Sequence, residues 1–212
     1  MTEYAWKDRG AATSLELGEL AEVLVRAHEL ELGARPSLAE AELELAQVLL
    51  ETNRTRSMWR HNWGNVTAGS SWKGDVWRPS WYELTPESTD RDRTLHGDML
   101  AGKAPSAFRG YDTHEQGARD YLRVLGRSPA REAARTGDPV RFATAVRSSY
   151  CPDCTESKGF SGAIAKLRDT VRASHVLDSL GLEQPRGAGG GSALPVLLRL
   201  AILWAASESA VW

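Results

Sequence analysis

Apolar residues recur at intervals of three and four over residues 14–33, where Leu17, Leu20, Leu24, Ala27 and Leu30 or Glu31 share one face. The spacing predicts an amphipathic helix with Gly33 as its C-cap. After Ala34-Arg35-Pro36, Ser37 and Glu40 stand at the separation of a capping box. Ala39, Leu43, Ala46 and Leu50 then form a stripe that Leu38, Leu45 and Leu49 widen, predicting a second helix to about Glu51. From Asn53 to about Pro105 this period is lost, and Gly, Ser, Asn, Trp and Asp take over, with short strand candidates at 64–68 and 75–84. Helical spacing returns at 114–125, with Asp112 or Thr113 as cap, and at 139–146 and 162–180. Two helices, a polar lobe and several further helices make an α+β domain that is predominantly α.

The pattern divides the chain into an N-terminal tail at 1–13, a domain at 14–184, a Gly-rich linker at 185–192 and a hydrophobic helix at 193–212. That last segment would span about 30 Å if helical, close to the thickness of a bilayer's hydrocarbon. Pro195, Arg199 and the polar Ser207-Glu208-Ser209 work against a clean span, so membrane contact and docking on a protein both stay open. The first ten residues hold no apolar core of the kind a secretory signal needs, so synthesis in the cytoplasm is expected.

Composition narrows the chemistry. A length of 212 residues, a formal charge of -2 and 42% hydrophobic residues describe one globular domain with appendages and disfavour nucleic acid as a partner. Cys151 and Cys154 form a CPDC run, half of a tetrahedral zinc site, while the five histidines are scattered. No P-loop, dinucleotide fingerprint or HExxH run is present, and neither metal nor cofactor is expected.

Glu51 closes the second helix where its apolar stripe meets the polar lobe. Unpaired carbonyls at a helix C-terminus and partial burial both disfavour a carboxylate there, so its pKa should rise toward that of a general acid. The competing reading is a solvated carboxylate paired with Arg54. Downstream, Asn62, Gly64 and Asn65 favour a tight turn that presents amide groups. Five of the eight tryptophans, Trp59, Trp63, Trp72, Trp77 and Trp81, fall in the lobe. Indole faces beside amides suit a polysaccharide groove. The alternative is a miniature core, and two or three of the five are expected to serve as one.

Three strings carry a resemblance: Ala46-Gln-Val-Leu-Leu-Glu51-Thr, Asn62-Trp-Gly-Asn65-Val-Thr-Ala-Gly69, and Phe108-Arg-Gly-Tyr111-Asp-Thr-His-Glu-Gln-Gly-Ala-Arg-Asp-Tyr121. In order and spacing, over roughly residues 15–175, the chain resembles the lysozyme-like peptidoglycan hydrolases of the endo-β-N-acetylglucosaminidase group, which includes flagellar-rod and phage lytic proteins. The resemblance implies a lysozyme-like fold and cleavage of the β-1,4 bonds between amino sugars, with Glu51 as the acid. It also implies substrate contacts from Asn62, Asn65, Trp63, Trp72 and Tyr111, and a place for Tyr150 near the scissile sugar. Where the family often has Glu-Ser-Gly-Trp-Gly, this chain has Glu51-Thr-Asn-Arg-Thr. Arg109 is expected to dock the lobe onto the following helix.

Glycoside hydrolysis usually takes a second carboxylate. Asp75, flanked by Trp72 and Trp77, is favoured over Glu83 and Glu87. A lytic transglycosylase would need only Glu51. A catalytically inactive lysozyme-like protein, structural or membrane-anchored, of a virion or injection apparatus is the alternative of another class, and a membrane-bound scaffold held by 193–212 is a third reading. For the enzyme reading the partner is peptidoglycan, and a chain without a signal would reach the wall by carriage in a virion, through another protein's pore or by a dedicated secretion machine.

Overall fold

Local chemistry sets the helix ends. In the computed structural model, which describes residues 4–149 and 159–183, helix α1 covers Leu17–Leu32 and α2 covers Leu38–Glu51. Gly33 terminates α1 with φ 69°, returning its N–H to the Glu29 carbonyl. Ser37 and Glu40 form the expected capping box, with Ser37 Oγ accepting from the Glu40 N–H at 3.3 Å and Glu40 accepting from the Ser37 N–H at 2.9 Å. Strand β1 is Ala5–Lys7, β2 Asp75–Trp77 and β3 Phe108–Arg109. The remaining helices are α3 (Asp90–Leu100), α4 (His114–Gly126, capped by Thr113), α5 (Ala130–Arg135), α6 (Pro139–Ser149) and α7 (Phe160–Ala173), followed by a short 3-10 turn. The architecture is α+β and predominantly helical.

Helix α2 is the axis of the domain. Every residue from Ala39 to Leu49 is buried, with α7, α5 and α1 packed around it. Its leucines and alanines join those of α1, α4, α5, α6 and α7 in one apolar core, which also holds Tyr121, Phe142 and Ile164. The polar side chains of an enclosed helix look to its neighbours for partners, and each on α2 finds a different one, although Glu44 Oε1 and Gln47 Nε2 are buried without a hydrogen-bond partner. Glu40 Oε1 accepts from Arg135 Nε on α5 at 3.1 Å. Glu42 takes Arg168 Nε at 2.9 Å and Arg172 Nε at 2.7 Å from α7. Glu44 Oε2 meets His28 Nε2 of α1 at 2.6 Å, and Gln47 Oε1 accepts from the Tyr121 hydroxyl of α4 at 2.9 Å. These contacts fix the rotation of α2 and therefore the direction in which its last residue points.

The sheet has the order β1-β2-β3, with β1 parallel to β2 and β2 antiparallel to β3. Trp77 stacks on Phe108 across the antiparallel pair, with ring centroids 4.8 Å apart, and both rings are buried. Residues 4–13, expected as part of a tail, instead belong to the lobe. Trp6 pairs with Val76, the Tyr4 hydroxyl donates to Ala68 O, and Thr13 N–H donates to Met58 O at 2.7 Å.

Other expectations shift for physical reasons. The candidate strand 64–68 reduces to a single bridge between Thr67 and Phe108, because Asn62 draws the Val66 backbone into its own hydrogen bonds. The 75–84 candidate stops at Trp77, two residues before Pro79, which cannot donate to a ladder. Helix α3 lies within what reads as an irregular lobe. It buries no residue and so has no apolar stripe, and its only sequence signal is the Thr89–Asp92 capping box. Helix α7 ends at Ala173 rather than near residue 180, and His175 follows with φ 57°. The linker at 185–192 and the segment 193–212 lie outside the described residues. Among the described helices none is long and apolar enough to cross a membrane.

Removing Glu42 takes the carboxylate partner from the buried Arg168 guanidinium, which keeps its bond to Gly137 O. The Glu42→Ala protein is expected to lose about 3–5 kcal/mol of stability in chemical denaturation, far more than the same change at exposed Glu83.

Candidate active site at the carboxyl end of α2

Glu51 is the last residue of α2 and is half-buried. The chain turns sharply after it, and Asn53, Arg54 and Thr55 all have positive φ, at 48°, 56° and 68°. For β-branched Thr55 this is a strained conformation, costing about 1–3 kcal/mol unless neighbours enforce it. The enforcement is visible. The Thr52 hydroxyl donates to Val48 O at 2.6 Å and accepts from the Thr55 N–H at 3.1 Å. Thr55 Oγ1 donates to Leu15 O at 3.1 Å, and Ser14 Oγ donates to Thr55 O at 3.0 Å. The left-handed turn carries the chain from α2 toward the lobe without continuing the helix over Glu51.

Asn65, itself at φ 50°, closes the site from the other side. Its Nδ2 donates to the main-chain carbonyl of Glu51, and its side chain also hydrogen-bonds the Glu51 carboxyl group. Burial pushes the Glu51 carboxyl up to about 7, against the opposing pull of the Asn65 hydrogen bond. A group with that pKa is divided between acid and carboxylate at neutral pH, which suits proton transfer.

Asn62 and Trp63 require a correction, because neither can touch a substrate directly. Asn62 is completely buried. Its Nδ2 donates to Val66 O and to Arg109 O, both at 3.0 Å, while its Oδ1 accepts from Val66 N–H at 2.8 Å. It is the pin that holds the 62–66 turn, and with it Asn65, against β3. Trp63 is likewise at 0% exposure within the helical core, its Nε1 directed at His114 Nδ1 at 3.4 Å. Burial and neighbouring His61 push the His114 imidazole down to about 4, so it stays neutral at physiological pH. Gly117 of α4 packs on this turn so closely that an added Cβ would meet the His61 carbonyl oxygen.

Tyr111 is also buried, and its hydroxyl donates to Asp120 Oδ2 at 2.6 Å. Burial and the Asp120 charge push its pKa well above the usual phenol value. Arg109 shares the same carboxylate oxygen at 2.7 Å, donates to Thr67 O, and lies over the Trp72 ring at 4.6 Å. Arg109 thus docks the lobe onto α4, as expected, and Tyr111 belongs to that junction. Trp72 is half-buried, edge-on to Tyr111, with its Nε1 on Asp75 O at 2.9 Å. Asp120 had no sequence signal, since an acid in an amphipathic helix reads as solvated surface. Of the five lobe tryptophans, Trp63 and Trp77 are buried, the miniature-core fraction anticipated from composition.

Asp75 is held by cations. Its Oδ2 lies 3.2 Å from Arg60 Nη2 and 3.8 Å from Lys7 Nζ. Glu83 is exposed and pairs with Arg78 at 2.8 Å, and Glu87 is exposed. Tyr150, Cys151 and Cys154 lie outside the described residues.

Comparison with known proteins accords with the motifs. Over 131 residues, 58% of its length, the chain is 31% identical to the peptidoglycan hydrolase FlgJ of Vibrio parahaemolyticus serotype O3:K6 (strain RIMD 2210633). The matched region spans 38% of that relative's length. Among solved structures, the chain is similar to the glycoside hydrolase domain of Salmonella typhimurium FlgJ, with a TM-score of 0.48 at 19% identity, covering 78% of this chain and 94% of that one. A C-terminally truncated form of the same domain gives a TM-score of 0.45 at 20% identity, over 74% of this chain and 99% of that one. No protein-family model matches.

Asn62 and Asn65 should behave differently when replaced. Asn62→Ala leaves the buried Val66 N–H without a partner, at about 1–3 kcal/mol, while Val66 O keeps the Arg109 N–H and Arg109 O keeps Trp77 Nε1, and it is expected to lower the melting temperature by a few degrees. Asn65→Ala removes the hydrogen bond that lowers the Glu51 pKa, so the Glu51 titration, followed by NMR, should move to higher pH.

The raised pKa also has a sign for stability. A carboxyl with a folded pKa near 7 and an ordinary solvated value of 4.5 contributes stability fully below pH 4.5 and loses it as pH rises through 7. Glu51→Gln is therefore expected to match the parent in denaturant melts near pH 4 and to exceed it by roughly 1 kcal/mol or more at pH 8.

Proposed function

We propose that this chain is a glycoside hydrolase of bacterial cell-wall peptidoglycan, cutting β-1,4 bonds between its amino sugars with Glu51 as the general acid. The observation that carries this reading is the half-buried carboxyl at the end of α2, pushed up to about 7 and held by Asn65. The peptidoglycan hydrolase similarity supports the substrate class. The protonated Glu51 would give its proton to the glycosidic oxygen as the bond to the anomeric carbon breaks, leaving oxocarbenium character on the sugar ring. The Asn65 hydrogen bond would steady the carboxylate that results.

A single-acid reaction is the second reading, and the surroundings of Asp75 favour it. The Asp75 carboxylate oxygen is engaged by Arg60 and Lys7 rather than presented free to a sugar. A lytic transglycosylase would use the sugar's own hydroxyl instead. Mass analysis of the digested glycan separates the two, because hydrolysis adds water and transglycosylation yields the anhydro sugar.

Glu51→Gln is expected to lower the release of glycan fragments from purified peptidoglycan by at least about 100-fold, the scale of general acid catalysis. Parent activity should fall as pH rises through 7, where the acid loses its proton. Retained activity in the mutant removes Glu51 from the reaction.

A further inference from the structure

A pocket of about 280 Å³ opens beside the lobe, lined by the Arg9–Thr13 segment together with Arg60, His61, Tyr111 and Asp112. Neither Glu51 nor Asn65 lines it. Its volume lies near the lower end of the range for small-molecule sites, enough for a terminal group and too small for a polymer.

The Arg9 guanidinium carbon lies over the Trp59 ring, 4.3 Å from its centroid, and Arg9 forms no ion pair among the described residues. A guanidinium placed over an indole keeps its N–H donors for another partner and gives up less side-chain freedom on taking one, which suits bidentate reception of a carboxylate. Arg60, the second cation of the lining, commits Nη2 to Asp75, while its Nε is enclosed without a hydrogen-bond partner. His61 Nδ1 is also buried without a partner. The fold thus leaves polar capacity unused around this pocket, where buried polar groups ordinarily find partners. Asp112 adds one negative charge to the lining. It disfavours multiply charged anions such as phosphate and favours a ligand that carries an N–H donor near its single carboxylate.

We propose that this pocket binds the terminal carboxylate of a short peptide, seated on the Arg9 guanidinium. The geometry asks for a planar monoanion with an adjacent amide, which a peptide end supplies. If the chain acts on peptidoglycan as proposed above, the peptides borne by the glycan are one source of that group, and a free carboxylate ligand is the other.

The test uses the full chain and an N-acetylated dipeptide with a free C-terminus, compared with its C-terminal amide and with inorganic phosphate, by NMR titration. The free acid should bind in the millimolar range or tighter, with the amide and phosphate at least tenfold weaker. Arg9→Ala, at an exposed position, should weaken binding of the acid at least tenfold without altering the melt. Equal binding of acid and amide, absence of acid binding, or unchanged binding in Arg9→Ala overturns the proposal. Digestion of peptide-bearing and peptide-stripped glycan then distinguishes the sources. A rise of several-fold in KM with unchanged kcat in Arg9→Ala, confined to the peptide-bearing polymer, assigns the wall peptide. Parent-like kinetics of that variant on both polymers, with acid binding lost, assigns a free carboxylate. A parent chain that binds the acid and cuts neither polymer overturns the hydrolase reading and leaves the pocket assignment standing.

Discussion

The enclosure of α2 is the constraint on which the rest depends. A helix buried along eleven consecutive residues, Ala39 to Leu49, cannot turn about its axis without breaking the Glu42 pair with Arg168, the Glu44 contact with His28 or the Gln47 bond from Tyr121. Each of these carries a desolvation penalty if left unmet. The partners come from α1, α4 and α7, so the surrounding helices fix the rotation of α2 jointly. Glu51 inherits its direction from that arrangement and its environment from standing two residues past the end of the enclosure at Leu49. The raised pKa is thus a consequence of where the buried helix stops.

The lobe completes the site from outside the helix. Strained residues 53–55 turn the chain away from α2, Asn62 pins the following turn to β3, and that turn delivers Asn65 onto Glu51. The Arg109–Asp120–Tyr111 cluster then joins the lobe to α4. Residues that read as ligands of a sugar chain are in several cases the fasteners of this junction. The same amide and phenol groups that suit a polysaccharide also suit a small lobe poor in aliphatic side chains, where hydrogen bonds must replace apolar burial.

That ambiguity explains which features were legible in the sequence. Helices α1 and α2 were readable to within a few residues because their apolar periods and caps, Gly33 and the Ser37–Glu40 box, are strong local signals. Helix α3 was not, because a helix that buries nothing has no period to read, and α5 is too short to show one. Strand β1 could not be read from three residues that are all exposed and pair in parallel with a partner about seventy positions away. At the site, Glu51 and Asn65 were legible from the helix end and the turn residues. The burial of Asn62, Trp63 and Tyr111 was not, since polarity and aromaticity alone do not say which face of a turn meets the core.

The account stands most directly on the protonation of one side chain. Site-resolved NMR titration of the Glu51 carboxyl carbon in the full chain measures it without substrate or assumption about the reaction. A midpoint near 7 is the result this structure predicts, and a midpoint near the ordinary 4.5 of a solvated glutamate would contradict it.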